Sequence, residues 1–392
     1  MPGPLTLSDR AQALQPSLTL AIAARAKQLR AEGHDICSLS AGEPDFDTPA
    51  FIRQAAAAAL ESGQTRYGPV AGEPALREAI AAKLSLENGV PTEAAGVLVT
   101  NGGKQALYNL FQVLLGPGDA VLLPSPFWLS YPEIAQLAGA SVQLIPSTAA
   151  DGFRLDPARL EAAITPASKL LVLNSPGNPT GMVLRRDELE AIAAVLRRHP
   201  QVAVVCDEIY EFLLAPGQEH HSFAAIAPDL ADRTFIVNGF AKGWAMTGWR
   251  IGWLAGPPAV VAAASALQSQ STSNVCSFAQ FGALAAISGS RDCVQQMAQE
   301  FSQRRQLLVA GLQAMPQLTL LPPEGAFYAF PDVSVTGLDS MSFCNRLLEQ
   351  QGLAVVPGVA FGDDRCIRLS CAAGPATLHD GLERLQRFLT TL

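Results

Sequence analysis

Between about residues 96 and 255 the chain alternates short, unbroken apolar runs with stretches of helical periodicity, and this alternation limits the possible folds more than any other feature. The runs are GVLVT (96–100), DAVLLP (119–124), SVQLIP (141–146), KLLVLN (169–174), VAVVCD (202–207), TFIVN (234–238) and RIGWLAG (250–256). A strand that is apolar at every position, not every second one, must be covered on both faces. Between the runs, Ala106, Leu107, Leu110, Phe111 and Leu114 share one helical face. Leu189, Ile192 and Leu196 do the same behind Asp187 and Glu188, acidic residues suited to a first helical turn. The series predicts an α/β fold: a mostly parallel, seven-stranded sheet between helical layers.

Past residue 290 the pattern changes. A long helical stretch (291–314) leads to the strand-like pieces GAFYAFPDV (325–333), LAVVPG (353–358) and CIRLSC (366–371). A last helix carries Leu378, Leu382, Leu385 and Leu389 on one face. The expected organisation is a large domain over 48–290 and a smaller α+β domain made from both termini, residues 1–47 and 291–392.

Composition excludes several classes. Hydrophobic residues make up 49% of the 392 and charged residues only 16%, which rules out disorder and coiled coil. So few charges also predict that some surface is buried against another subunit. A net charge of −8 without a basic tract argues against nucleic acid and anionic membrane as partners. The seven cysteines contain no CxxC pair and read as reduced thiols of a cytoplasmic protein. The five histidines lack ligand spacing, with His220 and His221 in a polar loop, so no metal site is expected. The first 17 residues have no apolar core and do not read as a signal peptide. The uncharged stretch Ile251 to Ser290 is broken by Pro257, Pro258 and a polar run, which fits a buried helix pair or a subunit contact, not a membrane span.

In open α/β sheets ligands bind beyond the carboxyl ends of strands, and the chemically notable residues follow such ends. Thr100-Asn101-Gly102-Gly103-Lys104 enters a helix; it is either a plain turn or a phosphate cradle of backbone N–H groups. Asp207 closes an all-apolar strand, as a helix N-cap or as a carboxylate aimed at a cationic ligand atom with the Tyr210 hydroxyl nearby. Lys242 sits among Phe240, Trp244 and Met246, where loss of water favours the neutral, nucleophilic amine. Arg250 begins the next apolar strand and is either a bidentate phosphate ligand or a structural ion-pair residue. Asn174-Ser175-Pro176-Gly177-Asn178-Pro179-Thr180-Gly181 is a further strand-end loop. Arg368, inside CIRLSC, is an inward anion receptor or a salt-bridge partner. A desolvated lysine, an acid for a cation, a phosphate cradle and an arginine for a carboxylate together suit pyridoxal phosphate chemistry.

Read as a whole, the chain resembles class I aminotransferases of fold type I, in particular the bacterial aspartate/prephenate subgroup. The resemblance rests on AGEPDFDTP (41–49), RYGPVAGEPALREAIAAK (66–83), VTNGGKQALYNLF (99–111), NSPGNPTG (174–181), CDEIYE (206–211), NGFAKGWAMTGWRIGW (238–253), EGAFY (324–328) and IRLS (367–370), in that order. It implies that Lys242 binds pyridoxal 5'-phosphate as an imine and then shuttles a proton. It implies that Asp207 keeps the ring nitrogen protonated, that Asn178 and Tyr210 bond the ring oxygen, and that Trp128 stacks on the ring. Gly102, Gly103, Lys104 and Arg250 would hold the phosphate end, with Tyr67 reaching in from the other subunit of a homodimer. Arg368 would clamp the substrate α-carboxylate with help from the Gly42 backbone, alongside Trp128 and Asn178. Lys104 is the candidate cation for a distal carboxylate. Gly239 and Ala241 stand where many relatives have serine, and Asn101 replaces another. The implied reaction is ping-pong transamination between aspartate and 2-oxoglutarate. Prephenate, aromatic or alanine transamination and β-elimination are its alternatives.

Overall fold

All seven apolar runs become strands of one sheet. The computed structural model describes residues 5–14 and 18–392, so part of the N-terminal segment expected in the small domain lies outside the described residues. In chain order the strands are β1 (Cys37–Ser38), β2 (Val97–Thr100), β3 (Ala120–Ser125), β4 (Ser141–Pro146), β5 (Ser168–Asn174), β6 (Ala203–Asp207), β7 (Thr234–Gly239) and β8 (Gly252–Ala255). There follow β9 (Tyr328–Ala329), β10 (Leu353–Ala354), β11 (Val356–Pro357) and β12 (Ile367–Ser370). The large sheet runs β2-β8-β7-β6-β5-β3-β4, and β8 is antiparallel to both its neighbours while the other pairs are parallel.

Consecutive residues of a strand point to opposite faces, and both faces are packed. In β5, Leu170 and Val172 join one core while Leu171 and Leu173 join another. The first core is completed by Leu107, Leu110 and Phe111 of the helix Gly103–Leu114. The second is completed by Leu189, Ile192 and Leu196 of the helix Arg186–Leu196. Each fully buried leucine or isoleucine stabilises the fold by about 1.5–3 kcal/mol relative to exposure. The edge strand β4 departs from the pattern: Leu144 is 50% exposed, because an edge strand lacks a neighbour on one side.

A third core joins the long helix Asp292–Gln313 and the helix Pro375–Leu389 to residues near both ends of the chain. Leu378, Leu382, Leu385 and Leu389 are all buried there, as their spacing predicts. The parallel pair β1–β10 ties Cys37–Ser38 to Leu353–Ala354. The three-stranded sheet β11-β12-β9 is antiparallel. Of the run 325–333 only two residues form a strand; the rest make isolated bridges and loops around it.

Candidate active site

Strand register brings the predicted residues to one edge of the large sheet. Asn174 pairs with Asp207, and Asp207 with Val237, two residues before β7 ends. Beyond these ends opens a cleft of about 790 Å³. Its lining includes Gly42, Gly102, Gly103, Lys104, Trp128, Asn178, Asp207, Tyr210, Lys242, Arg250 and Arg368. Of the residues singled out for the site, Tyr67 alone is absent from that lining; it is 91% exposed.

One end of the cleft is suited to an anion. Gly102 precedes the helix Gly103–Leu114 with φ +81°, a conformation L side chains rarely adopt, and a Cβ there would lie 2.6 Å from Arg250 Nη2. The guanidinium therefore lies close against the backbone at the helix start, where the free N–H groups can join it in holding an anion. Arg250 does not begin a strand as expected. It precedes β8 at φ +56°, with Nη1 3.0 Å from the Thr247 carbonyl and Nη2 3.4 Å from that of Asn101. No carboxylate pairs with it among the described residues, so it is not a structural ion-pair residue. Lys104 holds its ammonium 4.9 Å above the Trp128 ring, and loss of water together with Arg250 holds its pKa below the ordinary lysine range. At Gly239 a Cβ would lie 2.9 Å from the Ile251 carbonyl and Gly252 Cα, so β8 leaves no room for a serine side chain.

The middle of the cleft is acidic and aromatic. Burial pushes the Asp207 carboxyl up to about 6, against hydrogen bonds that favour its charged form. The stronger of those comes from the Tyr131 hydroxyl, 2.8 Å from Oδ2; the Ile209 N–H lies 3.3 Å from Oδ1. Tyr131 escaped the sequence reading. It is buried against the edge of Trp128 with ring centroids 5.3 Å apart, and its only signal is a tyrosine one helical turn after a strand-end Phe127-Trp128 pair. The Tyr210 hydroxyl lies 2.9 Å from that of Tyr328, a second partner missed in the sequence.

The opposite end holds a buried cation. Arg368 is 3% exposed, with Nη1 donating to Asn178 Oδ1 at 3.0 Å and Nη2 to the Ser40 carbonyl at 3.2 Å. Its guanidinium stacks 4.4 Å from Tyr328 and 4.8 Å from Phe361. Its Nε has no partner and no carboxylate pairs with it among the described residues. The salt-bridge alternative is thereby removed.

Lys242 lies between these ends, half-buried, its ammonium donating to the Gly42 carbonyl. The rings of Phe327 and Tyr210 lie 5.6 and 5.9 Å from it. Burial is the main cause that lowers its pKa to about 8; Arg368 and Arg250 add to the shift, and Glu43 and Asp207 oppose it. The amine is therefore available as a nucleophile near neutral pH.

His220, read from sequence only as part of a polar loop, has its side chain 9% exposed and 3.3 Å from Glu208. Glu208, Glu211 and His220 bring potential ligand atoms within 4.8 Å of one another.

Comparison with known proteins agrees with this geometry. The family model for class I and II aminotransferases matches residues 34–385. An aspartate aminotransferase of Geobacillus stearothermophilus is 44% identical over 98% of this chain and 99% of that protein. An aspartate/prephenate aminotransferase of Thermus thermophilus is 46% identical over 98% of both. A solved aspartate aminotransferase of Thermus thermophilus, described with maleate, superposes with a TM-score of 0.94 at 45% identity over 98% of this chain and 100% of that one. Matched over this much of its length, the chain is an enzyme that belongs to the class I and II aminotransferase family.

Proposed function

We propose that this aminotransferase takes pyridoxal 5'-phosphate into the cleft and moves an amino group between aspartate and 2-oxoglutarate by a ping-pong route. The observation that carries the reading is the pairing, in one cleft, of the Lys242 amine with the buried Asp207 carboxyl, between the Gly102–Arg250 cradle and the buried Arg368. The donor set suits that cofactor from end to end. The backbone N–H groups of Gly102, Gly103 and Lys104 and the Arg250 guanidinium offer donors to a phosphate. Asp207 faces the cleft without a salt-bridge partner among the described residues, which suits a protonated ring nitrogen. Trp128 presents a ring face, and Asn178 and Tyr210 offer donors to a ring oxygen.

When bound, pyridoxal phosphate supplies an aldehyde for amine exchange and an electron-withdrawing ring that stabilises charge at the substrate α-carbon. The chain's own residues do the rest. Asp207 holds the ring-nitrogen proton, supported in its charged form by Tyr131. Lys242 Nζ takes the proton from the substrate α-carbon as general base. Arg368 receives the α-carboxylate on its outward nitrogens while Asn178 and Ser40 keep it in plane. Of the Gly42 backbone only the N–H, a donor, can help a carboxylate; its carbonyl accepts from Lys242 instead.

Lys104 is our candidate for the distal carboxylate, a reading supported by the dicarboxylate maleate named for the Thermus structure. Prephenate is the second reading, favoured by relatives named for both substrates. A panel of amino donors tests the choice: aspartate and glutamate should lead in kcat/KM, and turnover confined to alanine or aromatic donors would overturn it. Lys104→Ala should lower kcat/KM for aspartate about tenfold and spare alanine, as expected for one lost charge-assisted contact.

We further read the chain as a large domain (48–290) and a small domain from both termini (1–47 and 291–392). The homodimer, in which the exposed Tyr67 enters the partner's cleft, is supported by its 91% exposure and by the low charge content. A cytoplasmic location fits the seven free cysteines. No described helix is long and apolar enough to cross a membrane.

A further inference from the structure

Behind the segment that carries Asp207 and Tyr210 lies a buried group of charged side chains for which the reaction above has no use. Residues 207–211 read Asp-Glu-Ile-Tyr-Glu and leave β6 in a turn, closed by the Glu211 N–H on the Glu208 carbonyl at 3.0 Å. Asp207 and Tyr210 line the cleft. Glu208 and Glu211, each one residue further on, do not, and they are 2% and 6% exposed. Buried carboxylates need cations and donors.

Both are present. Lys83, in the helix Pro74–Leu86, donates to both oxygens of Glu211. Asn238 Nδ2 donates to Glu211 Oε1 at 2.8 Å and Asn88 Nδ2 to Oε2 at 3.0 Å. Ser222 Oγ lies 2.8 Å from Glu208 Oε1, and His220 Nε2 lies 3.3 Å from Oε2. Two carboxylates against the single Lys83 ammonium leave one negative charge uncompensated unless His220 is protonated. Burial opposes that proton, and so does Lys83; Glu208 and Glu211, which face the ring, outweigh them and raise its pKa. The positive charge on Glu211 is the Lys83 ammonium, so these residues form an ion-pair set and not a metal cage.

We propose that Glu208 and Glu211, gripped by His220 and Lys83, are positioning residues that aim the Asp207 carboxylate and the Tyr210 hydroxyl into the cleft. All four side chains leave one turn, so rotating the pair behind the cleft rotates the pair that lines it. Asn238 extends the grip to β7, four residues before Lys242. The inference rests on the reading of the cleft as a pyridoxal phosphate site.

The test uses the full chain loaded with pyridoxal phosphate, as wild type, Glu208→Gln and His220→Gln. Glu208→Gln keeps an acceptor for Ser222 and removes only charge; His220→Gln keeps a polar group beside Glu208. In either variant kcat should fall about tenfold or more with KM little changed, the signature of small misplacement at a distance. The pH midpoint of the bound cofactor's visible band should move by about one unit, the effect of losing one hydrogen bond to a charged group. Wild-type kcat and an unmoved midpoint, even with a lower melting temperature, would show a purely structural role and overturn the proposal. Wild-type protein that takes up no pyridoxal phosphate would instead overturn the reading beneath it, and that is measured before any substitution.

Discussion

Replacing Lys242 by alanine abolishes transamination, lowering kcat on the order of 10⁴-fold, the upper range for a positioned acid–base group. The fold survives, because the amine's one hydrogen bond goes to the Gly42 carbonyl at an open cleft, where water replaces it. Steady-state turnover of aspartate with 2-oxoglutarate checks the first part and circular dichroism melting the second. Retained turnover in the folded variant would contradict the mechanism. The same side chain predicts a pH dependence. With its pKa lowered to about 8, the neutral amine is the minor form at pH 7 and the major form above 8. At pH 7 about a tenth of it is neutral, against roughly three in ten thousand for an ordinary lysine. Capture of pyridoxal phosphate by the cofactor-free protein should thus quicken about tenfold from pH 6 to 7 and level off beyond 8. A rate still climbing at pH 10 would mean that burial does not tune this amine.

Arg368→Ala should lower kcat/KM for aspartate by about 10²–10³-fold while leaving the affinity for pyridoxal phosphate nearly unchanged. The guanidinium is held by two neutral acceptors and two aromatic faces, which fix its plane without cancelling its charge. Its field is therefore available to an incoming carboxylate in a site with little water. Arg368→Lys should recover only part of the loss, because an ammonium cannot offer the planar fork. Equal losses of substrate and cofactor affinity would argue that Arg368 only props up the cleft.

Which parts were legible in the sequence follows from what carries each signal. Six of the seven strands were readable because each is an apolar run buried on both faces, a property of the residues themselves, whereas β4 at the sheet edge is largely exposed. Lys242, Asp207 and Arg368 stood out because a charge inside an apolar run is costly and needs a reason. Tyr131 did not, since a tyrosine at a helix start is unremarkable until its hydroxyl meets Asp207. The loop around His220 is polar in sequence, yet folding packs its ring against Glu208, the residue that follows β6.

Sequence alone determined the α/β class and singled out the strand ends, the lysine, the acid and the arginines proposed for the site, since burial and charge conflicts are local to the chain. Tertiary structure decided which of those groups face one another. It set Asn174 and Asp207 side by side, brought Ser40 and Asn178 to Arg368, and closed Lys83 onto Glu211 across 128 residues. The physical reason is distance. Apolar periodicity is fixed within a few residues, whereas a hydrogen bond or ion pair needs a particular partner within about 3–4 Å, and only the packed fold chooses which one.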